Sequence, residues 1–466
     1  MNALPSLYIV AIFVCFSQQS VFAQKIHAST PFDNNLDEKY SLIGAAAKET
    51  FVYGKHAAGD YIYIYDDTLA KIKEVKLFFQ KKENRLLRTL ILKQKIHVFY
   101  TYNKSGASIL RLKLLDLNAK EIQDQELGIF ENTYKLKRKH LLLSKNKHQL
   151  LMYAPLESNQ IEILQYDLQQ GRKVRQKALN LDKFNYYQNF EKIVINNQGK
   201  VFIVCNLLNS KRKRAEHHFL VFQIADSSRA QKIPFPNFVS FDFDIKYDEY
   251  NQQLVVVGFY GDDLQYAKGV FYFNSTDKQI RTTALDPEFI RSLTGNKKKK
   301  VHGINHFYIR ETILRRDGGI LLLAEQQFTY QTSSTLEDNL ENSTQADFLY
   351  ENILAVSLHP TGKIFWKKVL LKSQVSSNDD AQFSSFFTFQ TQQKLRIIYN
   401  NKIDWDTTIF EYLIKNDGST KRQVLTHQSR KSGLLLQFIQ SIQTTAKAFI
   451  ALSYRDKDTR LVKIIY

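Results

Sequence analysis

Cysteine is almost absent from this sequence: its 466 residues include two, Cys15 and Cys205. Cys15 lies in an N-terminal segment that we expect to be cleaved, which leaves Cys205 without an intramolecular partner. No disulfide can then stabilise the fold. Because Cys205 follows the apolar run VFIV, we predict that it is a buried packing residue and not a nucleophile.

Proline (7 residues) and glycine (17) are scarce as well, which excludes collagen-like and disordered chains. No stretch of useful length repeats apolar residues with a helical period, so a helical solenoid is not predicted. Beyond the N-terminus no apolar run is long enough to cross a bilayer. We therefore expect no transmembrane segment in the mature chain.

The N-terminus has the pattern of a secretory signal. Residues 7–16 are mostly apolar and uncharged, and Val21-Phe22-Ala23 offers a cleavage site, although no Lys or Arg precedes the run. A membrane anchor would need about 20 apolar residues, roughly twice the length present. We predict a signal peptide at 1–23, cleaved near Ala23, and an extracytoplasmic protein that is periplasmic, on the cell surface or secreted.

Short apolar runs recur along the chain, each preceded by a polar turn and flanked by further apolar stretches. Their first residues are 54, 51, 53, 66, 75 and 53 positions apart. Each run has the length and residue content of a buried strand. The runs are KIHVFY (95–100), QLLMYA (149–154), KVFIVC (200–205), QLVVVG (253–258), GILLLA (319–324), KLRIIY (394–399) and KAFIAL (447–452).

A repeat of about 50 residues with four antiparallel strands suits one blade of a β-propeller. The sequence therefore predicts an all-β, seven-bladed β-propeller, because a blade has two apolar faces that only a ring of blades can bury. A β-sandwich would lack this period.

We expect residues 24–50 to form an extended lead and 51–466 a single propeller domain. N-terminal strands should close the ring, with the segment from Lys71 to Phe79 completing the last blade. The segment Tyr61–Tyr65 competes with Leu461–Tyr466 for the terminal strand.

Basic residues outnumber acidic ones by 65 to 46, a formal net charge of +19. For an exported protein this favours a polyanionic glycan, an anionic membrane surface or an envelope protein as the partner. Nucleic acid is not expected, because export separates the chain from it. A basic surface with no specific partner is the alternative.

In a propeller, the loops between strands two and three share one rim with the connections between blades. We name this the connection rim and expect binding residues there, by analogy with other propellers. The loops would supply Lys211, Arg212, Lys213, Arg214, Asp262, Asp263, Asp404, Trp405, Asp406 and Arg455. The blade connections would supply Tyr186, Tyr187, His302, His306, Asp379 and Asp380. Solvated loops are the alternative interpretation for any one of these residues.

Metal and cofactor motifs are weak. His302 and His306 have metal-type spacing only on a helix, yet a strand follows them directly. Thr361-Gly362-Lys363-x-x-Trp366 has the spacing of quinone-cofactor dehydrogenase repeats, but it occurs once and Leu358 stands at the acidic position. We predict no metal or cofactor, and we interpret this stretch as a turn with Trp366 wedged between blades. Acidic pairs such as Asp242/Asp244 are interpreted as turn residues.

The stretch GGILLLAEQQFTY (318–330), followed after an insert by ENILAVSLHPTGKIFWKKVLLKSQ (351–374), resembles a group of uncharacterised secreted bacterial β-propeller-like proteins. In both, a strand ending in Ala-Glu-Gln precedes a polar insert, a strand, a Pro-x-Gly turn and a Trp. The resemblance implies a secreted β-repeat protein without an assigned activity, and it supplies no catalytic residues. Glu325 and Gln326 match that segment; they are functional or, the interpretation we prefer, a buried polar pair.

Two functions therefore follow from the sequence. The preferred one is a non-catalytic binding or scaffold protein for a glycan, an anionic surface or a protein partner. The alternative is a carbohydrate-active enzyme, a glycoside hydrolase or polysaccharide lyase. Two rim carboxylates about 5–10 Å apart would favour the hydrolase. His302 or His306 beside Tyr186 or Tyr187 would favour the lyase.

Overall fold

Eight antiparallel sheets make up the fold, and each contains at least four strands. This computed structural model describes residues 24–32, 39–131, 136–181, 185–209, 216–224, 229–234, 239–262, 265–295, 301–334, 343–401, 403, 408–427, 433–455 and 458–466. The first strands of neighbouring sheets contact one another, as they do around the channel of a β-propeller. The predicted propeller is confirmed, but the predicted number of blades is wrong: there are eight among the described residues, not seven.

The strands follow the chain blade by blade, after a first strand β1 (Lys25–Ala28) that belongs to the last blade. Blade 1 contains β2 (Lys39–Ala46), β3 (Glu49–His56), β4 (Gly59–Tyr65) and β5 (Lys71–Leu77). Blade 2 contains β6 (Asn84–Leu92), β7 (Lys95–Lys104), β8 (Ala107–Leu115) and β9 (Glu121–Phe130). Blade 3 contains β10 (Leu141–Leu143), β11 (Gln149–Glu157), β12 (Gln160–Asp167) and β13 (Arg172–Asn180). Blade 4 contains β14 (Phe190–Ile195), β15 (Val201–Asn209), β16 (Glu216–Ile224) and β17 (Arg229–Pro234).

The second half of the ring repeats this order. Blade 5 contains β18 (Val239–Asp248), β19 (Gln253–Gly261), β20 (Gly269–Asn274) and β21 (Ile280–Ala284). Blade 6 contains β22 (Phe307–Leu314), β23 (Ile320–Ser334), β24 (Ser343–Leu358), β25 (Ile364–Leu370) and the extra strand β26 (Gln374–Ser377). Blade 7 contains β27 (Phe387–Gln390), β28 (Lys394–Asn400), β29 (Thr408–Lys415) and β30 (Thr420–His427). Blade 8 contains β31 (Leu436–Gln443), β32 (Ala448–Arg455) and β33 (Asp458–Ile465), with β1 at its outer edge.

Each pair of neighbouring blades shares a hydrophobic cluster, and blades 8 and 1 share one too. Second strands are buried on both faces: on β11, Leu150 and Met152 face blade 2, whereas Leu151 and Tyr153 face blade 4. Full burial of one such side chain stabilises the fold by about 1.5–3 kcal/mol. This two-sided burial explains why the second strands are continuous apolar runs and not alternating ones.

Strand β1 closes the ring by pairing antiparallel with β33, from Lys25 opposite Ile465 to Ala28 opposite Val462. Beyond β1, the backbone N–H of Phe32 donates to the carbonyl of Thr459 at 2.7 Å. Closure by an N-terminal strand agrees with the prediction, but the strand is a different one. The predicted closing segment at 71–79 instead forms β5, the outer strand of blade 1.

Blade 1 is the one missed by the sequence analysis. The segment expected as an extended lead contains β1, β2 and the start of β3. On β3 the apolar run is interrupted by Gly54, where a Cβ atom would lie 2.7 Å from the ring of Tyr63 and 2.9 Å from that of His56. Glycine is therefore required at this position to make room for aromatic rings.

Two short helices and two long strands occupy the connections and inserts. Helix α1 (Tyr186–Asn189) precedes blade 4, and helix α2 (Pro287–Thr294) follows blade 5. Asp286 caps α2 by accepting a hydrogen bond from the N–H of Phe289 at 2.7 Å, and Gly295 ends it with φ +65°. In blade 6, β23 and β24 extend beyond the sheet, and β26 pairs with that extension.

Candidate functional site

Half of the residues predicted for the connection rim lie outside the described residues: Lys211, Arg212, Lys213, Arg214, Asp263, Asp404, Trp405 and Asp406. The backbone of Arg455 ends β32, but its side chain is not described. For all sixteen residues predicted for the rim, described or not, the binding role stays a prediction.

The tyrosine pair of the rim lies in the connection between blades 3 and 4. Tyr186 stacks on Phe190 with ring centroids 4.9 Å apart and packs against the core shared by blades 3 and 4. Tyr187 is 69% exposed, and its N–H donates to the side chain of Asn185 at 3.0 Å. Tyr187 alone of the two therefore presents most of its ring to solvent.

The two histidines lie in the connection between blades 5 and 6, on a different part of the ring from the tyrosines. The ring of His302 lies 5.6 Å from that of Tyr266, and the ring of His306 lies 4.8 Å from that of Phe328. Each histidine has its own aromatic neighbour, and both are exposed. A lyase would have been favoured by a histidine beside Tyr186 or Tyr187. The histidines contact Tyr266 and Phe328 instead.

The rim aspartates serve local structure. Asp262 pairs with Lys268 and is 67% exposed. Asp379 accepts a hydrogen bond from the N–H of Ala381 at 2.9 Å, and Asp380 has φ +52°. For Asp379 and Asp380 this agrees with the interpretation of aspartate pairs as turn residues.

A buried ionic cluster lies beneath the connection between blades 6 and 7. The carboxylate of Glu325 is fully buried, 2.8 Å from the Nζ of the equally buried Lys372 and 3.1 Å from the Nε of Arg310. The hydroxyl of Ser385 donates to it at 2.6 Å. Glu325 is thus the buried polar residue we had preferred, whereas Gln326 is half-buried.

Charged side chains also line the central channel. Asp244 on β18 lies 3.1 Å from the Nζ of Lys192 on β14 and 3.4 Å from the Nζ of Lys246, and the hydroxyl of Thr312 on β22 donates to it. Burial opposes ionisation of Asp244, but Lys246 and Lys192 outweigh it and lower its pKa. The interpretation of Asp242 and Asp244 as turn residues is wrong, because both lie within β18.

The pKa values of two neighbouring carboxyl groups, those of Glu311 and Asp242, shift upward, opposite to that of Asp244. Burial raises the pKa of Glu311, against the hydrogen bond donated by the hydroxyl of Thr388. Burial also raises the pKa of Asp242, which accepts from the N–H of Ile309 at 2.6 Å. The channel wall therefore combines one carboxylate held ionised with two that resist ionisation.

Where these inner strands end, the channel widens into a cavity of about 440 Å³, which we name the channel pocket. It opens on the turn face, the side that carries the turns joining strands one to two and three to four of each blade. The turn face is opposite the connection rim, since antiparallel strands reverse direction at every turn. The polar side chains around the pocket are Lys145, Lys246, Tyr247, Glu249, Glu311, Thr312 and Gln390.

A larger groove of about 660 Å³, the blade 6–7 groove, adjoins this pocket at Ile313 and Gln390. Trp366 forms part of its wall, and the indole N–H donates to the carbonyl of Asn416 at 3.0 Å. A Cβ atom at Gly418, whose φ is +80°, would lie 2.6 Å from the indole. Trp366 is the wedge between neighbouring blades that the sequence predicted, and it also faces a cavity.

Cationic side chains predominate in the blade 6–7 groove. It is lined by four of them: Arg315, Arg316, Lys394 and Lys415. Its two acidic residues are already engaged: Asp317 pairs with Arg315, and Asp417 accepts from the N–H of Ser419 at 2.8 Å. The guanidinium of Arg315 also lies 5.4 Å from the ring centroid of Phe365. An aromatic and cationic wall of this kind is suited to an anionic ligand with an apolar face.

Sequence reasoning missed the turn face as a site. The signals were present as Arg315-Arg316-Asp317 in a turn and as charges at alternate positions of β18. Among the described residues, no group of three or more His, Cys, Asp or Glu side chains is arranged to hold a metal ion.

Comparisons with known proteins do not assign a family. No protein-family model and no curated protein sequence matches this chain. Among solved structures, an uncharacterised protein of Listeria monocytogenes EGD-e is similar, with 11% identity, a TM-score of 0.40, and coverage of 81% of this chain and 92% of that one. The β-propeller domain of the trilobed protease from Pyrococcus furiosus shows 10% identity, a TM-score of 0.38, and coverage of 82% and 97%. Oligogalacturonate lyase from Vibrio parahaemolyticus shows 10% identity, a TM-score of 0.41, and coverage of 95% and 96%.

Proposed function

We propose that this protein is a non-catalytic β-propeller that binds an anionic glycan on its turn face, along the blade 6–7 groove and the channel pocket. The observation that carries the proposal is the four-cation wall of the groove beside Phe365 and Trp366. A sugar ring bearing carboxylate or sulfate groups offers C–H faces for the aromatic rings and anions for Arg and Lys. The volume of the groove lies within the usual range of about 300–1,000 Å³ for ligand sites.

Charge supports the same class of ligand. The net charge of +19 would attract a polyanion over a long range, and the groove cations would fix its position. Asp317 pairs with Arg315 and Asp417 accepts from a turn N–H, so Arg316, Lys394 and Lys415 are the groove cations that we expect to hold the ligand. An anionic membrane surface and an acidic envelope protein are the other partners that this charge would suit.

The proposed location is extracytoplasmic, and it rests on the N-terminal sequence pattern. Residues 1–23, which carry that pattern, lie outside the described residues. In the part of the chain that is described, no helix is long and apolar enough to cross a membrane.

Binding to heparin and polygalacturonate, with neutral dextran as a negative control, tests the proposal by calorimetry at two salt concentrations. The variant Arg316→Ala/Lys394→Ala should weaken binding at least about tenfold. The matched control Arg172→Ala/Lys173→Ala removes the same charge from the outer strand β13 and should change affinity less than about threefold. Equal losses in both variants, or binding unaffected by salt, would refute a specific anionic site.

A second candidate is a glycan-cleaving hydrolase, favoured by two carboxyl groups of the channel wall whose pKa values shift in opposite directions, Asp244 downward and Glu311, which lines the channel pocket, upward. Such enzymes pair a protonated carboxyl with an ionised one. Release of new reducing ends from polygalacturonate or heparin without the unsaturated products of a lyase, abolished in Glu311→Gln, would establish it. Absence of products at enzyme concentrations that saturate binding would leave the non-catalytic function.

A further inference from the structure

We propose a second binding site, for a neutral saccharide, where blade 1 meets blade 8. The cavity measures about 420 Å³, and we name it the tyrosine pocket. It is separate from the blade 6–7 groove, and the proposal does not depend on what that groove binds. Its lining residues come from the N-terminal segment and blade 1: Thr30, Pro31, Phe32, Tyr40, His56, Ala58, Tyr61, Tyr63, Tyr65, Lys71 and Glu74.

The pocket follows from the sequence of two strands. Tyr61, Tyr63 and Tyr65 alternate along β4, so their side chains point to the same face of blade 1. Opposite Tyr61 on β3 lies Gly54, whose missing side chain leaves the space that the rings of Tyr63 and Tyr40 approach. Glycine inside a strand often marks a position that other groups approach closely. Here it allows aromatic rings to line a pocket in addition to packing in the core.

The rings form a platform. Tyr61 and Tyr63 have centroids 6.2 Å apart and planes inclined by 29°, and Phe32 and Tyr63 have centroids 6.4 Å apart with planes inclined by 11°. Phe32 and Tyr63 are 9% and 8% exposed and form the floor of this platform, whereas the half-buried Tyr61 offers the ring face on which the C–H side of a sugar can stack. Tyr40 is inclined by 57° to Tyr63 and His56 by 83° to Tyr61, so these two rings form the sides of the pocket.

Charge in the pocket argues against a cationic or an anionic ligand. The ammonium of Lys71 lies 3.3 Å from a carboxylate oxygen of Glu74, so the two charges largely cancel. The ammonium groups of Lys71 and Lys76 lie 5.7 Å and 5.8 Å from the ring centroids of Tyr63 and Tyr61, where a ligand cation would otherwise bind. A neutral ligand avoids repulsion from both.

Hydrogen-bonding groups surround the platform. The hydroxyl of Tyr63 lies 2.6 Å from the Nε2 of His56, which fixes both side chains. Glu74 can accept and Lys71 can donate hydrogen bonds from the edge of the pocket. Sugar hydroxyl groups act as both donors and acceptors, so aromatic faces bordered by these groups match a saccharide.

The location makes the site measurable through stability. Phe32 contributes to the platform and is held by the bond from its N–H to Thr459 on β33, which joins the N-terminal segment to blade 8. A ligand that contacts Phe32 together with Tyr61 therefore bridges the closure of the ring. At one hundred times Kd such a ligand should raise Tm by about 3 °C for a domain of this size.

The test is a panel of neutral gluco-, galacto-, manno- and xylo-oligosaccharides, measured by calorimetry and thermal shift with the full chain, with choline and heparin as charged probes. At least one neutral oligosaccharide should bind with a Kd unchanged by 0.5 M NaCl. Tyr61→Ala should weaken it at least about tenfold. Glu74→Gln, which leaves the platform intact, should weaken it less. Tyr250→Ala removes a 76% exposed tyrosine in blade 5 and should have no effect.

Three outcomes would overturn the proposal. They are no binding by any neutral oligosaccharide, an unchanged Kd in both Tyr61→Ala and Glu74→Gln, or competition by choline for the same site. Should Tyr61→Ala unfold, Glu74→Gln and the salt series still decide the question. Loss of heparin binding in the groove variant, with neutral binding retained, would separate the two sites.

Discussion

Neutralising Glu325 with Glu325→Gln should destabilise the propeller far more than any exposed ion pair does. The substitution keeps the size of the side chain and removes the negative charge that faces Lys372 and Arg310. Lys372 has no exposed side-chain surface, and its other bonds go to neutral acceptors, the carbonyl of Tyr350 at 2.8 Å and the side chain of Gln374 at 2.7 Å. An ammonium would remain buried without a counter-ion.

Removing one partner of a buried pair costs about 3–5 kcal/mol. Unfolding entropy of about 2.1 cal/mol/K per residue gives about 0.9 kcal/mol/K for this chain, so Tm should fall by about 3–5 °C. Burial lowers the pKa of Lys372, and Glu325 opposes that shift. Without Glu325 the folded-state pKa falls further below the unfolded value of about 10.4. The unfolded state then binds more protons, so the loss of stability should shrink as pH rises from 7 towards 10.

Guanidinium unfolding and thermal scans at several pH values would measure this effect. Asp458→Asn is the matched control, because it breaks an ion pair with Arg460 in which both side chains are at least 40% exposed, and it should cost less than about 1 kcal/mol. The double variant Glu325→Gln/Lys372→Met should recover much of the stability. A loss for Glu325→Gln no larger than that of the control, or one independent of pH, would refute the reasoning.

Three further predictions concern single residues. Gly418→Ala should lower the free energy of unfolding, measured with denaturant, by about 1–3 kcal/mol more than Gly106→Ala does. Both glycines have φ near +80°, but only a Cβ atom at Gly418 would collide with Trp366. Equal losses of stability would show that the contact with Trp366 does not matter. Burial lowers the pKa of His140 to about 4, so the unfolded state binds more protons below pH 6.5. Wild type should therefore lose about 2 kcal/mol more than His140→Gln between pH 7 and 4.5, and parallel losses would contradict this. Burial raises the pKa of the Cys205 thiol, which should react with a thiol reagent only after unfolding; rapid labelling of the folded chain would show otherwise.

Most of the fold could be predicted from the second strands, because burial on both faces makes them continuous apolar runs. Blade 1 escaped because its first strand, β2, has one buried residue among eight, so no recognisable strand precedes the apolar run of β3. The closing strand escaped because β1 has four residues, KIHA, too few to carry a pattern. Both failures have one cause: a strand with few buried side chains resembles a loop in the sequence.

The candidate site was harder to predict, since it depends on distances across the ring. Trp366 was recognised as a wedge, but nothing in the sequence places it beside Lys394 of the next blade. The sequence analysis assigned Asp244 to a turn, because a carboxylate inside a strand is not expected without a partner. Its partner, Lys192, lies on the neighbouring blade, and the sequence does not show that the two residues are close. Analogy with other propellers directed attention to the connection rim, whereas the two adjoining cavities open on the turn face.

The pairing of Lys25 with Ile465 spans 440 positions of sequence, obtained as 465 − 25. At a synthesis rate of about 5–20 residues per second, the first partner waits about 20–90 s for the second. Throughout that interval β1 has no partner strand and the ring is open, with the face of blade 1 that packs on blade 8 uncovered. The nascent protein is therefore vulnerable to aggregation at one seam until β33 is made, and that seam is where a chaperone would be most useful.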